Sequence, residues 1–314
     1  MNQLICIAGP TASGKTALSI ALAKELSGEI ISCDSMQVYR HMDIGTAKPT
    51  MAEREGIVHY MLDVADPQED FSVSRYCAMA QPIVDDILAR GKTVIIVGGT
   101  GLYMDALIRG NDFAPYPSTG RREELERLAD TQGIEAVLKQ LRSVDPESAA
   151  RLHPSDRKRI IRALEVYLET GETITAHNAR TQALPPRYTP LWLALEDADR
   201  QTLYSRIDRR VDDMLEKGLL EEIQRLLASG IPKTATAMQA IGYKEFIAAL
   251  EGQCTIAEAA DAVRQSSRRY AKRQLTWFRR NKSIHWLRRG SGLPEILTQA
   301  RQILSETDNE TLLR

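Results

Sequence analysis

Apolar positions along the N-terminal part of the chain alternate between two patterns. Leu4-Ile5-Cys6-Ile7-Ala8 is a continuous apolar run closed by Gly9-Pro10, which predicts a short buried strand. Ala17, Leu18, Ala21, Leu22 and Leu26 then recur at helical spacing within Thr16 to Leu26. Glu29 to Cys33 reads as a second strand ended by Asp34, and Tyr60 to Val64 as a third. Cys77 to Arg90 reads as a helix stopped by Gly91, and Thr93 to Val97 is the most strand-like run, ended by Gly98-Gly99. Strands alternating with helices predict an α/β fold with a parallel sheet covered by helices on both faces.

The pattern changes at residue 113. From Arg121 to about Thr170 the chain is charged and helical, with Pro115 and Pro117 before it and Pro185, Pro186 and Pro190 after it. A new strand-like run, Leu191 to Leu195, follows. This predicts a core made of residues 1–112 and 190–314, interrupted by a helical insertion at 113–189. Residues 200–314 read as a helical, strongly charged C-terminal region without repeats or low-complexity tracts.

Charge is balanced, with 41 Lys+Arg against 42 Asp+Glu and a net charge of -1, which excludes a uniformly basic nucleic-acid coat but leaves room for a local basic patch. Cys6, Cys33, Cys77 and Cys254 form no C-x-x-C pair, and the five histidines share no metal-ligand spacing with them or with acids. Reduced thiols, apolar runs too short to span a membrane and no secretory pattern predict a cytoplasmic protein.

Gly9-Pro10-Thr11-Ala12-Ser13-Gly14-Lys15-Thr16 fits the phosphate-loop pattern G-x-x-x-x-G-K-[ST] between a strand and a helix. Its glycines let backbone N–H groups converge on an anion, the helix N-terminus and Lys15 add positive charge, and the Thr16 hydroxyl is placed to hold Mg²⁺. The motif leaves open which phosphate compound binds. Asp34 and Asp63, each after an apolar run, are both candidate acids. Asp34 ends the strand after the phosphate-loop helix, which puts it at the carboxyl edge of the sheet where ligands bind in such folds; a solvated turn aspartate has the same spacing. Gly98-Gly99-Thr100-Gly101 opens at the same edge, either to approach a ligand or as a tight turn.

Between Ala262 and Pro294 there is no acid but there are many arginines and lysines, among them Arg268, Lys272 and Arg273, interleaved with Tyr270, Trp277, Phe278 and Trp286. Such segregation points to nucleic acid, RNA and DNA being indistinguishable at this level. The arginines could instead pair with acids such as Glu216, Glu221 and Glu222, and Tyr270 and Trp277, one heptad apart, could be core. A second basic cluster, Arg157, Lys158, Arg159 and Arg162, lies on the insertion.

Around the loop the wording is more specific. Gly9 to Thr16, Asp34-Ser35-Met36-Gln37-Val38-Tyr39, Asp43 to Pro49, Val97 to Tyr103, Arg162 to Val166, Ala240 to Tyr243 and Ala271 to Trp277 together resemble the bacterial tRNA dimethylallyltransferases, also called tRNA isopentenylpyrophosphate transferases. The resemblance implies a P-loop NTPase-like fold and transfer of a dimethylallyl group from dimethylallyl diphosphate to N6 of the adenine 3′ of the anticodon, in tRNAs reading codons that begin with U. It implies that Gly9, Pro10, Thr11, Ala12, Ser13, Gly14, Lys15 and Thr16 bind the donor diphosphate with Mg²⁺ rather than spend ATP. By resemblance, Arg210 also contacts the diphosphate, Asp34 is the general base and Thr100 positions the acceptor. Asp34, Ser35, Met36 and Gln37 match an adenine-contacting segment. Lys158, Arg159, Ile160, Ile161 and Arg162, with Gln239, Ala240, Ile241, Gly242, Tyr243 and Lys244, match tRNA-contacting segments, and the insertion is expected to grip the anticodon stem-loop as part of a monomer. Eukaryotic relatives carry a zinc finger; this chain has no Cys/His set for one, so zinc is not expected.

Two enzymatic alternatives share the phosphate loop. A small-metabolite kinase would leave the basic stretch without a purpose, and a prenyltransferase of free adenine nucleotides would not need the basic insertion. A third reading is an RNA-binding protein that uses the loop only as a nucleotide switch.

Overall fold

The run Leu4–Ala8 forms strand β1 with every residue buried, as a strand covered on both sides requires. The computed structural model describes residues 4–111, 119–197, 199–290 and 292–312. Two compact units emerge, Met1–Gly110 with Arg187–Arg314, and Asn111–Pro186. Pro115, Pro117 and the expected boundary at 113 lie outside the described residues.

In the first unit β1 is followed by α1 (Lys15–Glu25), β2 (Glu29–Ser32), β3 (His59–Tyr60), α2 (Val73–Ala89), β4 (Val94–Val97) and α3 (Gly101–Arg109). The chain returns with β5 (Leu191–Asp197) and later adds β6 (Ile284–Arg289). The six strands lie in the order β3-β2-β4-β1-β5-β6, and every pair is parallel. Ile5 pairs with Ile95 on one side and Leu191 on the other, which keeps Ile5, Ile7, Ile95 and Leu193 on one face with Leu18 and Leu22 of α1. Cys6, Ile31 and Ile96, of opposite parity, are also fully buried, so both faces are covered. Each such side chain contributes about 1.5–3 kcal/mol through burial.

Three local differences from the sequence expectation have physical causes. The third strand ends at Tyr60 rather than Val64, because Met61 and Asp63 take φ of 62° and 58° and break the extended run. Helix α2 starts at Val73, earlier than Cys77, because Ser72 Oγ accepts from Arg75 N at 3.1 Å and caps it. The C-terminal region is helical from α9 (Arg200–Glu216) through α10 (Leu219–Ala228), α11 (Tyr243–Leu250) and α12 (Ile256–Phe278), but then contributes β6 before α13 (Leu293–Leu312). Ile284-His285-Trp286-Leu287 lacks strict alternation and earns its strand conformation from pairing with β5 at the sheet edge.

The second unit is helical, with α4 (Arg121–Gln132), α5 (Ile134–Val144), α6 (Pro146–Arg151), α7 (Arg157–Thr170) and α8 (Ile174–Ala183). Leu125, Val137, Leu138, Leu141, Ile160 and Leu164 form its core. Asp145 caps α6 by accepting from Ser148 N at 3.0 Å and holds the start of α8 through Thr175 N and Oγ1 at 3.1 and 2.7 Å. Among the described residues no helix is long and apolar enough to cross a membrane.

Candidate active site

Because all strands are parallel, the loops after β1, β2 and β4 open at one edge of the sheet. A cleft there is lined by Thr11 to Thr16, by Asp34 and Gln37, by Gly98 and Gly99, and by Arg210 of α9 and Tyr270 and Gln274 of α12. Residues far apart in sequence thus meet around one space within the first unit.

The phosphate loop is shaped for an anion. Gly9 and Gly14 take φ of 138° and 93°, open to glycine and strained for other residues. A Cβ on Gly9 would press on the Leu195 carbonyl oxygen, at 2.9 Å. Arg206 Nε donates to Ala12 O and Arg289 Nη1 to Ser13 O, both at 3.0 Å, so two guanidinium groups hold the loop's carbonyls. Among the described residues the N–H groups of Ser13, Gly14, Lys15 and Thr16 reach no acceptor, and Ser13 Oγ is buried without a partner. Unmatched donors at a helix N-terminus are what a phosphate satisfies.

Two cations flank these donors. Lys15 Nζ donates to Pro10 O at 2.6 Å, and its pKa is pulled down to about 7, first by burial and then by Arg210, against the opposing pull of Asp34. Arg210 makes no hydrogen bond or ion pair among the described residues, and burial lowers its pKa. A half-buried guanidinium without a protein partner, facing the cleft, is a ready contact for an anion.

The Asp34 carboxylate lines the same cleft. Asp34 Oδ1 accepts from Met36 N at 2.9 Å and Gln37 N at 3.4 Å, and no hydrogen bond among the described residues reaches Oδ2. Thr100 Oγ1 accepts from Ser35 N at 3.1 Å, tying the β4 loop to the same turn. Gln37 is held by Ser32 Oγ, which donates to its Oε1 at 2.9 Å, and its Nε2 donates to the carbonyls of Thr46 and Ala47.

The segment Asp43 to Pro49 is anchored from the C-terminal helices. Glu222 of α10 is 2% exposed and accepts from the N–H groups of Asp43, Ile44 and Gly45 at 2.9, 2.7 and 3.2 Å and from Tyr243 OH at 2.6 Å. A Cβ on Gly45 would collide with the Tyr243 ring. Glu222→Ala strands four donors, the Tyr243 hydroxyl among them buried, and is expected to cost about 3 kcal/mol, seen as a thermal midpoint several degrees lower by circular dichroism.

Some expected RNA-facing residues turn inward. Ile160 and Ile161 are 0% and 3% exposed in the second unit's core, so only Lys158, Arg159 and Arg162 of that segment offer side chains to solvent. Arg162 pairs with Glu165 at 3.0 Å. Ala240, Gly242 and Tyr243 are buried, Ile241 is half-buried, and Gln239 and Lys244 are exposed. On α12, Lys272 and Arg273 are exposed, whereas Arg268 forms a two-pronged pair with Asp208, its Nε 3.1 Å from Oδ1. Arg264 pairs with Asp212 and Asp261. Acids on α9 thus neutralise part of the basic stretch, and they are not the glutamates the sequence suggested.

Gln274 lies within the Ala271 to Trp277 motif and Arg289 within the acid-free basic stretch, but the sequence assigns neither to the cleft, and it does not single out Arg206. The i, i+4, i+7 spacing of Tyr270, Gln274 and Trp277 inside a basic helix is the signal that could have found the first; the arginines carry no local signal. Tyr270 lines the cleft beside Gln274, and burial pushes its phenol up to about 12. Trp277 Nε1 donates to Asp105 Oδ2 of α3 at 2.9 Å.

The profile described as IPP transferase matches residues 37–281. The tRNA dimethylallyltransferase of Thermoanaerobacter pseudethanolicus is 48% identical over 90% of this chain and 91% of its own, and that of Acetivibrio thermocellus 44% identical over 91% and 92%. The crystal structure of the full-length tRNA isopentenylpyrophosphate transferase of Bacillus halodurans superposes with a TM-score of 0.74 at 40% identity, over 100% of this chain and 99% of that one. A crystallographic study of a eukaryotic dimethylallyltransferase acting on tRNA provides a further match, with a TM-score of 0.76 at 30% identity over 92% of this chain and 74% of that one. With the profile spanning most of the chain and the relatives aligned nearly end to end, this protein belongs to the IPP transferase family.

Proposed function

We propose that the protein transfers a dimethylallyl group from dimethylallyl diphosphate to N6 of the adenine 3′ of the anticodon, in tRNAs reading codons that begin with U, and releases diphosphate. The observation that carries this reading is one cleft lined both by anion donors, Lys15, Arg210 and the unmatched loop N–H groups, and by the Asp34 carboxylate with its free Oδ2.

The chemistry follows from that combination of anion donors and a carboxylate. The C1–O bond of the allylic ester breaks as its electron pair leaves with the diphosphate, whose growing charge Lys15, Arg210 and the loop N–H groups stabilise. The N6 lone pair, delocalised into the purine, forms the new bond to C1. The proton N6 then sheds goes to Asp34 Oδ2. Thr100, bonded to the Asp34–Gln37 turn, positions the acceptor, and Gln37 faces the same cleft. Thr16, a cleft-lining hydroxyl at the loop's end, would hold Mg²⁺, which would supply further charge neutralisation to the leaving group.

The target adenine must leave its stack to enter a cleft at the sheet edge, so an extruded nucleotide is part of the proposal. The helical unit grips the anticodon stem-loop through Lys158, Arg159 and Arg162, joined by Gln239, Lys244, Lys272 and Arg273, and the enzyme acts as a cytoplasmic monomer. Lys272→Ala and Arg273→Ala are each expected to weaken tRNA binding and reduce the salt slope of log K by about 1. Arg268→Ala, whose charge Asp208 already neutralises, is expected to change the slope less. Filter binding between low and moderate salt reads both. Purified protein incubated with dimethylallyl diphosphate and unmodified tRNA should yield N6-dimethylallyladenosine in the nucleoside digest by mass spectrometry; unchanged tRNA would overturn the reading.

A further inference from the structure

Helix α12 has two faces with different tasks. Lys272 and Arg273 point to solvent, while Tyr270, Gln274 and Trp277 lie on the side turned toward the cleft and α3. Gln274 is 5% exposed and uses both ends of its amide across the cleft floor. Its Oε1 accepts from Thr11 N in the phosphate loop at 2.8 Å, and its Nε2 donates to Gly99 O in the β4 loop at 3.0 Å. A Cβ on Gly99 would overlap the Gln274 amide, and one on Gly101 would overlap the Trp277 ring, so α12 sits as close to the β4 loop as glycine allows.

The two loops that Gln274 joins have opposite roles in the proposed reaction. Thr11 belongs to the donor cradle, and Gly99 precedes Thr100, which holds the acceptor turn at Ser35. We propose that Gln274 is a positioning residue that sets the spacing between the donor diphosphate and the acceptor adenine. This rests on the prenyl-transfer reading above. The paired strands β1 and β4 fix the bases of the two loops, Gly98 N donating to Ile7 O at 3.1 Å, and the Gln274 amide sets their separation beyond that point. An error of about 1 Å between reacting atoms costs on the order of a hundredfold in rate.

Two substitutions separate spacing from mere packing. Gln274→Met keeps the volume and loses both bonds, leaving a buried N–H and C=O unmatched. Gln274→Glu keeps the acceptor for Thr11 N but, when ionised, cannot donate to Gly99 O. When protonated, the introduced carboxyl can do both, as the amide does. The test measures single-turnover transfer, donor binding and tRNA binding for wild type and both variants from pH 6 to 8, with thermal unfolding as the folding control.

For Gln274→Met the expected result is about a hundredfold slower transfer, with tRNA affinity within about threefold of wild type. For Gln274→Glu the rate relative to wild type should rise as pH falls, because protonation restores the donor; taking the ratio cancels the titration of Lys15 common to both proteins. Transfer by Gln274→Met within about threefold of wild type would overturn the proposal, as would a pH-independent ratio for Gln274→Glu. If Gln274→Met does not fold, the pH ratio of Gln274→Glu decides alone. A wild-type protein that leaves tRNA unprenylated would instead count against the underlying function, which the same experiment reads separately.

Discussion

Asp34→Asn should lower the rate of prenyl transfer by about a thousandfold while leaving tRNA and donor binding nearly intact. The substitution suits the geometry. Oδ1 of Asp34 holds the turn by accepting from Met36 N and Gln37 N, and an asparagine carbonyl oxygen can accept the same two bonds. Only Oδ2 changes in kind, from a proton acceptor to an amide donor. The turn, the Thr100 contact to Ser35 and the hold on Gln37 are therefore kept, and what is lost is the site for the N6 proton. Single-turnover kinetics with saturating donor and tRNA measure this step. A rate within about threefold of wild type would remove Asp34 as the base.

The second large effect concerns Lys15. With its pKa pulled down to about 7 in the free protein, Lys15 exchanges between ammonium and neutral amine around neutral pH. A diphosphate at the loop favours the ammonium and raises that pKa, so binding draws a proton onto Lys15 whenever the pH exceeds about 7. Affinity for the donor must therefore fall as pH rises, by about fivefold from pH 7 to 8 and approaching tenfold per unit above that. Titration calorimetry of dimethylallyl diphosphate in two buffers of different ionisation enthalpy reads the proton uptake directly, with close to one proton expected at pH 8. Lys15→Ala should lower donor affinity about a hundredfold and abolish the uptake, since it removes both the charge and the titrating group. Uptake that survives in Lys15→Ala would assign the proton to another residue.

Much of the fold was legible because its signals are local. The apolar runs at Leu4, Glu29, Thr93 and Leu191 are strands, and the phosphate loop lies between the first of them and α1. Burial on both faces leaves a continuous apolar run, which periodicity reads directly. β6 was not legible, since Ile284 to Arg289 becomes a strand only through β5. The positive φ at Met61 and Asp63 that shortens β3 likewise leaves no compositional trace.

The candidate site divides the same way. Chain order alone determined that an anion cradle, an aspartate and a second glycine loop each follow a strand, β1, β2 and β4, because a parallel sheet puts every such loop at one edge. Tertiary structure alone decided what braces and charges that edge: Gln274 reaches Thr11 across 263 positions of sequence, Arg289 holds Ser13 across 276, and acids of α9 cancel part of the basic helix. Those pairings depend on which helix faces and strand ends meet after folding, a property that spacing within a single element cannot encode.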